Sequence, residues 1–527
     1  MFDLLIKNAK VVDGTSAPWY YADVAVKDGK IAKIGRIAES EATKVVDAKR
    51  NVLAPGFVDI HSHSDAEVLK YKLNESRILQ GITTELGGDC GISPMPVNPE
   101  KMELLEKYIE FVSDVKIGWS NTKEFLDKIE KSGTSVNFAM AAGHGTIRLA
   151  AMGFEDREPT ASELELMRKF TAECMEQGCY GLSSGLIYPP GSYAKNEEII
   201  ELAKVVSQYG GFYESHMRWE GSRVIESVEE TIDVGVKANL PVQIAHHKVT
   251  DRNSWNCKSH ATTALIAKSR GMGLDVTVDQ YPYTATATTL TTKVPEWAHE
   301  GGLPKMLERL KDPTSREKIE ASIRSDAAKN MRGWANLYVS SVRSEKNAWV
   351  MGKNIEEIAK ELGKDPVDTV IHLLIEEEGV VSQISFCISE EDVAYIMQQP
   401  FVMIGSDGGA CSLNVKARPH PRSFGTFPRV ISKYCRDQKL FSLETAINKM
   451  TGMPAARIGL SDRGVIKTGM WADLVLFDFD KINDTPTFLK PAVACEGILQ
   501  VYVNGVLTAE NGVHTGQCAG KVLRRGR

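Results

Sequence analysis

The 527-residue sequence has no excess of basic side chains, since 63 lysines and arginines stand against 69 aspartates and glutamates, for a net charge of −6. A chain with this charge lacks the excess of basic residues that is typical of nucleic-acid-binding proteins. It has no uninterrupted apolar run of about 18 residues, the length that a membrane span requires. Its first residues, "MFDLLIKNAKVVDG", lack the basic start and long apolar core of a signal peptide. We therefore expect a cytoplasmic protein with no nucleic-acid and no membrane partner.

The sequence also lacks a disulfide framework. Nine cysteines, an odd number, are scattered over the chain, which is typical of reduced thiols in the cytoplasm. Most of them, such as Cys174, Cys179 and Cys435, are expected to be small buried apolar residues. Cys90 differs because it stands in a glycine-rich turn, "ELGGDCGISP". The composition is that of an ordinary globular protein, and the length predicts one large catalytic domain with an accessory one.

Both ends of the chain are rich in hairpin patterns. The start contains "DLLIKNAKVVDG" and "ADVAVKDGKIAKIG", with a turn at Asp28-Gly29. The end contains "GMWADLVLFDFD" and "ILQVYVNGVLTAENGV", with a turn at Asn504-Gly505. These patterns predict a small β-sandwich domain built from residues 1–55 and 460–527 together.

The middle of the chain, residues 56–459, alternates short apolar runs with amphipathic stretches, which is typical of repeated βα units. The eight candidate strands are Gly56–His63, Ile82–Gly88, Val136–Gly143, Gly181–Gly185, Gly211–His216, Pro241–His246, Leu274–Gln280 and Phe401–Ser406. Eight such units predict an α/β fold, a (β/α)8 TIM-like barrel whose active site lies at the carboxyl ends of the strands.

Residues 289–344 interrupt this alternation. The stretch "EWAHEGGLPKMLERLKDPTSREKIEASIRSDAAKN" has the pattern of two helices, and the segment is too long for an ordinary βα loop. We expect an inserted helical subdomain that acts as a lid.

Side chains that bind metals or move protons stand at the ends of five of the predicted strands. They are His61 and His63 after the first, Cys90 after the second, His216 at the end of the fifth, His246 and His247 at the sixth, and Asp407 after the eighth. A bare His-x-His is a weak signal, but the other strand ends strengthen it. Several imidazoles, a thiolate and a carboxylate at one barrel mouth suit zinc or a similar borderline ion.

The individual roles follow from position. Neighbours on a strand point to opposite faces, so only one of His246 and His247 can face the site, and we expect His246 to ligate. A metal-bound Cys90 would be a thiolate and could bridge two ions. Asp407 is suited to proton transfer. His144, in "GHGTIR", and Asp65 are expected to orient ligands rather than to bind the metal.

Eight motifs of this sequence resemble the D-aminoacylase (N-acyl-D-amino-acid deacylase) group of the amidohydrolase superfamily. They are "PGFVDIHSHSD", "GDCGISP", "GLIYPPG", "ESHMR", "AHHK", "DQYPY", "GSDG" and "VNGVLTAENGVHTGQCAGKVLR". The resemblance covers almost the whole chain. Cyclic-amide hydrolases of this superfamily normally carry a carboxylated lysine after the fourth strand. The corresponding stretch, "GLSSGLIYPPG", has no lysine, and the resemblance implies that Cys90 replaces it.

The resemblance also implies a division of roles. A tight zinc would be held by Cys90, His216 and His246, and a second, weaker metal position by His61 and His63. Asp407 would be the catalytic carboxylate. The substrate-contacting residues implied in the same way are Lys248, Tyr281 and Arg422, which meet the substrate's carboxylate, and Tyr188 of "GLIYPPG". The family often has a glycine-serine pair where this chain has Thr286 and Ala287, so a hydroxyl contact there depends on Thr288.

The implied reaction is zinc-dependent hydrolysis of an N-acyl-D-amino acid to a carboxylate and a free D-amino acid. The alternatives are an N-acyl-D-glutamate or N-acyl-D-aspartate deacylase, a cyclic-amide hydrolase of the dihydroorotase or hydantoinase type, a deaminase, and a non-catalytic relative that has kept the barrel. The sequence leaves open the side-chain and acyl-chain preference, the number of metal ions and the oligomeric state.

Overall fold

The computed structural model describes residues 1–110, 113–329 and 333–526. The β-strands of these segments are, in chain order, β1 (Phe2–Val11), β2 (Tyr20–Lys27), β3 (Lys30–Gly35), β4 (Ala42–Asp47), β5 (Val52–Pro55), β6 (Phe57–Asp59), β7 (Ile82–Gly87), β8 (Asn137–Met140), β9 (Ala142–Gly143), β10 (Gly181–Gly185), β11 (Phe212–His216), β12 (Val242–Ile244), β13 (Val276–Gln280), β14 (Ala285–Thr289), β15 (Leu337–Val342), β16 (Val381–Phe386), β17 (Val402–Ile404), β18 (Leu474–Phe477), β19 (Ile498–Val503), β20 (Val506–Glu510) and β21 (Val513–His514).

The α-helices of the same segments mostly connect these strands. They are α1 (Glu75–Ile78), α2 (Met102–Ile109), α3 (Thr122–Ser132), α4 (His144–Met152), α5 (Ala161–Glu176), α6 (Asn196–Gln208), α7 (Val224–Ala238), α8 (Lys258–Gly271), α9 (Leu303–Lys311), α10 (Pro313–Lys329), α11 (Ile355–Leu362), α12 (Pro366–Glu376), α13 (Glu390–Met397), α14 (Arg422–Arg429), α15 (Leu443–Met450) and α16 (Gly452–Ile458). A π-helix, Val430–Asp437, continues α14.

The central feature is a parallel barrel, as the sequence predicted. One sheet has the order β6-β7-β8 and the other the order β9-β10-β11-β12-β13-β17. Because β8 and β9 are successive pieces of one strand, the two sheets join there, and a parallel bridge between Ser62 and Gly408 closes the ring. Each of the eight predicted strands contains its observed counterpart. The strands are buried on both faces, which is the usual condition of parallel sheets.

The two ends of the chain form one nine-stranded sheet of order β21-β20-β19-β18-β5-β1-β2-β3, with β4 on β1. The early residues of β1 pair with β4 and its last residues pair with β5. Leu4, Val24, Leu53 and Leu474 belong to one shared hydrophobic core. The strands from both ends therefore depend on each other for burial. They fall within the ranges 1–55 and 460–527 expected for the terminal domain, of which residue 527 lies outside the described part.

The insertion between β13 and β17 is larger than the range 289–344 expected from the sequence. It begins at β14 and ends at β16, and besides helices α9 to α12 it contains an antiparallel sheet of order β14-β16-β15. It has its own hydrophobic core, which includes Leu290, Ile319, Leu337 and Ile371. Residues 330–332, inside the expected range, lie outside the described residues. Cross-strand pairs such as Thr286–Ser385 fix the sheet beside the barrel mouth.

Across residues 1–110, 113–329 and 333–526, no helix combines the length and the apolar character that crossing a membrane demands.

Candidate metal centre

Metal-ligating side chains converge at the carboxyl ends of the barrel strands. His61 and His63 follow β6, Cys90 follows β7, His216 ends β11 and His246 follows β12. All of these except His63 are at most 5% exposed.

Left-handed backbone occurs at three positions of this region. Cys90 has φ of 53°, His246 of 32° and Asp407 of 51°. Such angles are costly for non-glycine residues and concentrate at functional sites. Each of these residues follows the end of a barrel strand by two or three positions.

The Cys90 thiol lies at the centre of a group of imidazoles. Its Sγ is 3.4 Å from His61 Nε2, 3.5 Å from His246 Nε2 and 3.4 Å from His216 Nδ1. The Nδ1 of His216 is 2.9 Å from the Nε2 of His246. Each of these atoms offers a lone pair to the same point.

These separations fit a tetrahedral zinc ion. Zn–N bonds of about 2.0–2.1 Å and Zn–S bonds of about 2.3 Å place neighbouring ligand atoms about 3.3–3.6 Å apart. The sulfur–nitrogen distances around Cys90 match this range, and only the His216–His246 distance is shorter. A buried thiol with imidazoles is also a donor set that zinc prefers. The residues present therefore fit the implied metal.

A second group of potential ligands adjoins the first. His63 Nε2 is 3.1 Å and His61 Nε2 is 3.7 Å from Asp407 Oδ1. His61 belongs to both groups, since its Nε2 also contacts Cys90. Two ions at these positions would therefore be close neighbours.

The choice between His246 and His247 is clear in the geometry. His246 belongs to the cluster, whereas the Nε2 of His247 lies 2.9 Å from Thr262 Oγ1 on α8. The two imidazoles thus face opposite sides of the same strand, as the alternation rule requires.

Two acidic residues that the sequence analysis missed orient these histidines. Glu220 Oε1 is 3.2 Å from His246 Nδ1, and its carboxylate also accepts a hydrogen bond from Lys248. Asp279 Oδ1 is 3.2 Å from His61 Nδ1 and accepts from the His246 backbone N–H. Carboxylates in such positions fix the tautomer and the direction of a ligand imidazole. A signal existed for Glu220, which is four residues after His216, and for Asp279, which is two before Tyr281.

Asp407 is held as a carboxylate. Burial alone would raise its pKa, but the Arg422 guanidinium and the hydrogen bond from His63 outweigh burial and hold the pKa well below its usual range. Arg422 Nη1 lies 2.7 Å from Asp407 Oδ2. The group is therefore ready to accept a proton rather than to donate one.

The residues implied as substrate contacts line one cavity of about 600 Å³ together with the metal cluster. The Arg422 guanidinium lies 4.8 Å and the Lys248 ammonium 5.9 Å from the centre of the Tyr281 ring. Within the described residues the Tyr281 hydroxyl has no hydrogen-bond partner although it is buried. Two cations, which are paired with Asp407 and Glu220 in this structure, and a phenol line this cavity, and donors of this kind suit a carboxylate.

Tyr188 stands on the opposite side of this cavity. Its ring is 5.1 Å from that of His216, and its hydroxyl is 2.9 Å from Thr288 Oγ1. Thr288 thus brings a hydroxyl to the site from β14, at the position where Thr286 and Ala287 replace the family's glycine-serine pair.

The two expected orienting residues behave differently from each other. Asp65 Oδ1 accepts a hydrogen bond from Gly88 N, 2.6 Å away, and its Oδ2 is 3.9 Å from His63 Nδ1. It therefore braces the loop that carries Cys90, and burial raises its pKa to about 7. His144 instead places its Nε2 2.8 Å from Glu198 on α6. Its contacts stabilise the barrel wall rather than a ligand imidazole.

Comparisons with known proteins agree with this geometry. The model of the Amidohydrolase family matches residues 44–509. D-aminoacylase of Alcaligenes xylosoxydans xylosoxydans is 36% identical over 99% of this chain and 98% of its own length. A structure of D-aminoacylase determined to define the role of its binuclear metal centre superposes with a TM-score of 0.84 at 34% identity, covering all of both chains. N-acyl-D-glutamate deacylase from Bordetella bronchiseptica, complexed with zinc and a phosphonate inhibitor, superposes with a TM-score of 0.84 at 30% identity over 99% of each chain.

Proposed function

The chain belongs to the amidohydrolase family, and from that premise we propose that it hydrolyses the amide bond of N-acyl-D-amino acids. The products are the carboxylate of the acyl group and a free D-amino acid. One observation carries the proposal. The thiol-imidazole cluster of Cys90, His216 and His246 shares a cavity with a carboxylate, Asp407, and with the Arg422 guanidinium.

The proposed metal is zinc. Cys90, His216 and His246 would hold the tight ion, while His61 and His63 would hold a weaker one. When bound, zinc supplies Lewis acidity to the attacking water and to the amide carbonyl. The distances around Cys90 and the zinc and binuclear centres of the similar structures support this choice.

The protein's own groups carry the proton and position the substrate. Asp407 accepts the proton of the attacking water and then delivers it to the amide nitrogen, because an amide anion is a poor leaving group. Arg422, Lys248 and the unpartnered hydroxyl of Tyr281 bind the substrate carboxylate. Arg422 lies between Asp407 and this carboxylate and so sets the distance from the carboxylate to the reacting amide.

We also propose that the enzyme works in the cytoplasm. All nine cysteines fall in the described part of the chain, and each is a free thiol there. Free thiols of this number are typical of a reducing compartment.

The test is a chiral assay on the purified enzyme. We expect N-acetyl-D-amino acids to be hydrolysed at least about 100-fold faster than their L enantiomers. A carboxylate-binding site at a fixed position relative to the metal accepts only one configuration of the substrate. Dialysis against a chelator should abolish this activity, and one equivalent of zinc should restore it. Equal rates on both enantiomers, or undiminished turnover by protein shown to be metal-free, would contradict the proposal.

Glu220 provides a further prediction. The Nδ1 of His246, which is the ring nitrogen left over when Nε2 binds metal, lies 3.2 Å from the Glu220 carboxylate and 2.7 Å from the Lys248 ammonium that Glu220 also binds. Glu220→Gln removes the negative charge of that carboxylate and is expected to weaken zinc binding by about 10- to 100-fold.

A titration against a competing chromophoric chelator measures this affinity. Glu229→Gln is the matched control, since Glu229 is an exposed residue of the following helix, α7. Its zinc affinity should equal that of the unaltered protein. An unchanged affinity for zinc in Glu220→Gln would show that Glu220 binds Lys248 but does not orient His246 for the metal.

A further inference from the structure

A second cavity of about 350 Å³ adjoins the metal cavity. The two share several lining residues, among them Ile187, Tyr188, Trp219 and Thr292. A ligand in the metal cavity can therefore extend into the second one without leaving the protein.

The walls of this second cavity combine an apolar surface with polar side chains such as Thr291 and Glu296. The apolar part is formed by Leu104 of α2, Phe154 after α4, Leu186 after β10, and Val294 and Leu303 of the insertion. Phe154 packs edge-on against Tyr108, with 5.7 Å between the ring centres. Such a wall favours a hydrocarbon group over a polar one.

Two cationic side chains of the lining are paired inside the protein. Arg218 forms an ion pair with Glu230 at 3.1 Å and donates to the carbonyl of Ser192. Lys107 lies 3.6 Å from Glu110. These residues close the cavity without offering a free charge to a ligand carboxylate.

The position of the cavity indicates which end of the substrate enters it. Arg422 and Tyr281 follow β17 and β13, whereas Leu186 and Tyr188 follow β10. In the closed eight-stranded ring β10 is four strands from β17, so these groups face each other across the barrel mouth. A substrate with its carboxylate at Arg422 and its amide carbonyl at the histidine cluster directs its acyl group toward Tyr188.

We propose that this second cavity is the acyl site and that the enzyme prefers medium-length aliphatic acyl groups over acetyl. This inference rests on the proposed hydrolysis of N-acyl-D-amino acids. Each methylene moved from water to an apolar site strengthens binding by about fourfold. Partial burial of the six methylenes that octanoyl adds to acetyl then predicts kcat/KM at least about 30-fold higher.

The experiment compares N-acetyl-D-alanine with N-octanoyl-D-alanine on the zinc-loaded enzyme. Leu104→Trp fills the cavity from α2 and is expected to lower the ratio of kcat/KM for the octanoyl substrate to kcat/KM for N-acetyl-D-alanine by at least about tenfold. Glu103→Trp is the matched control, because Glu103 is the exposed neighbour on the same helix and does not line the cavity. It should leave both substrates unchanged.

Other outcomes overturn the inference. A wild-type enzyme that prefers acetyl has no such acyl site. If Leu104→Trp changes the ratio of N-acetyl-D-leucine to N-acetyl-D-alanine turnover instead, the cavity holds the amino-acid side chain. Leu303→Phe, which fills the cavity from the insertion, gives the same comparison if Leu104→Trp folds poorly. Absence of any D-selective deacylation would count against the proposed function itself, which keeps the two failures distinct.

Discussion

Asp407→Asn is expected to lower kcat by about 10³-fold or more while the zinc content and the fold are retained. General acid–base groups contribute about 10²- to 10⁴-fold, and here one carboxylate serves both the attack and the departure of the amine. Asparagine has the same shape but cannot accept the proton of a water molecule. The Asp407 carboxylate lies 3.1 Å from His63 and 2.7 Å from Arg422, whereas Glu220, another carboxylate of the same cavity, is held by Lys248.

Steady-state kinetics on N-acetyl-D-amino acids, with zinc analysis of the same samples, measure the effect. Asp437→Asn is the matched control, because Asp437 is a surface carboxylate that pairs with Arg436. It should leave kcat unchanged. A kcat of Asp407→Asn within about tenfold of the unaltered enzyme would assign proton transfer to another group.

Cys90→Ala is expected to remove the tight zinc and the activity together. The thiol contacts His61, His216 and His246 at once. Burial raises the pKa of the free Cys90 thiol well above its usual range, so a cation is needed to hold the group as a thiolate. Without the thiolate the remaining imidazoles are neutral donors, and the affinity for zinc falls by several orders of magnitude.

Metal analysis after dialysis, combined with circular dichroism, separates loss of metal from loss of fold. Cys435→Ala makes the same chemical change at a buried thiol in a different hydrophobic cluster. It is expected to retain its zinc and most of its activity. Tight zinc in Cys90→Ala would show that the imidazoles alone form the site.

The barrel and the strand ends were predictable because their causes are local. A short apolar run that ends in a polar side chain predicts a buried parallel strand, and the polar side chain marks the strand end that lies at the active site. His216, which ends β11, is such a case. His144 shows the limit of this rule, because α4 begins at that residue and turns its side chain to Glu198.

The size of the insertion was not predictable for a different reason. Its sheet pairs Thr286 with Ser385 and Val339 with Gln383, across long stretches of helix. Long-range antiparallel pairing leaves no periodic trace in a single sequence, whereas the amphipathic helices between the strands do. Two helices, α9 and α10, were therefore expected, whereas α11, α12 and the three strands were not.

The orienting carboxylates required three-dimensional information as well. Glu220 follows "HMRW" on a loop and resembles a solvated charge before a helix. The Glu220 carboxylate contacts His246 and Lys248, which follow the next strand of the barrel. Its role as their partner is therefore visible only in three dimensions. Asp279 lies in β13, where alternation with Tyr281 was the only clue to an inward side chain.

The terminal sheet can be completed only late in synthesis, because β18 comes from the end of the chain. It lies between β5 and β19 in the terminal sheet, with Leu53 opposite Leu476. The ribosome delivers β1 to β5 first and β18 only after the whole barrel has emerged. Throughout that interval β5 has an open edge, the kind of edge that pairs with other chains. Slow translation or premature release should therefore favour aggregation through the residues of β5, although the completed sheet covers them.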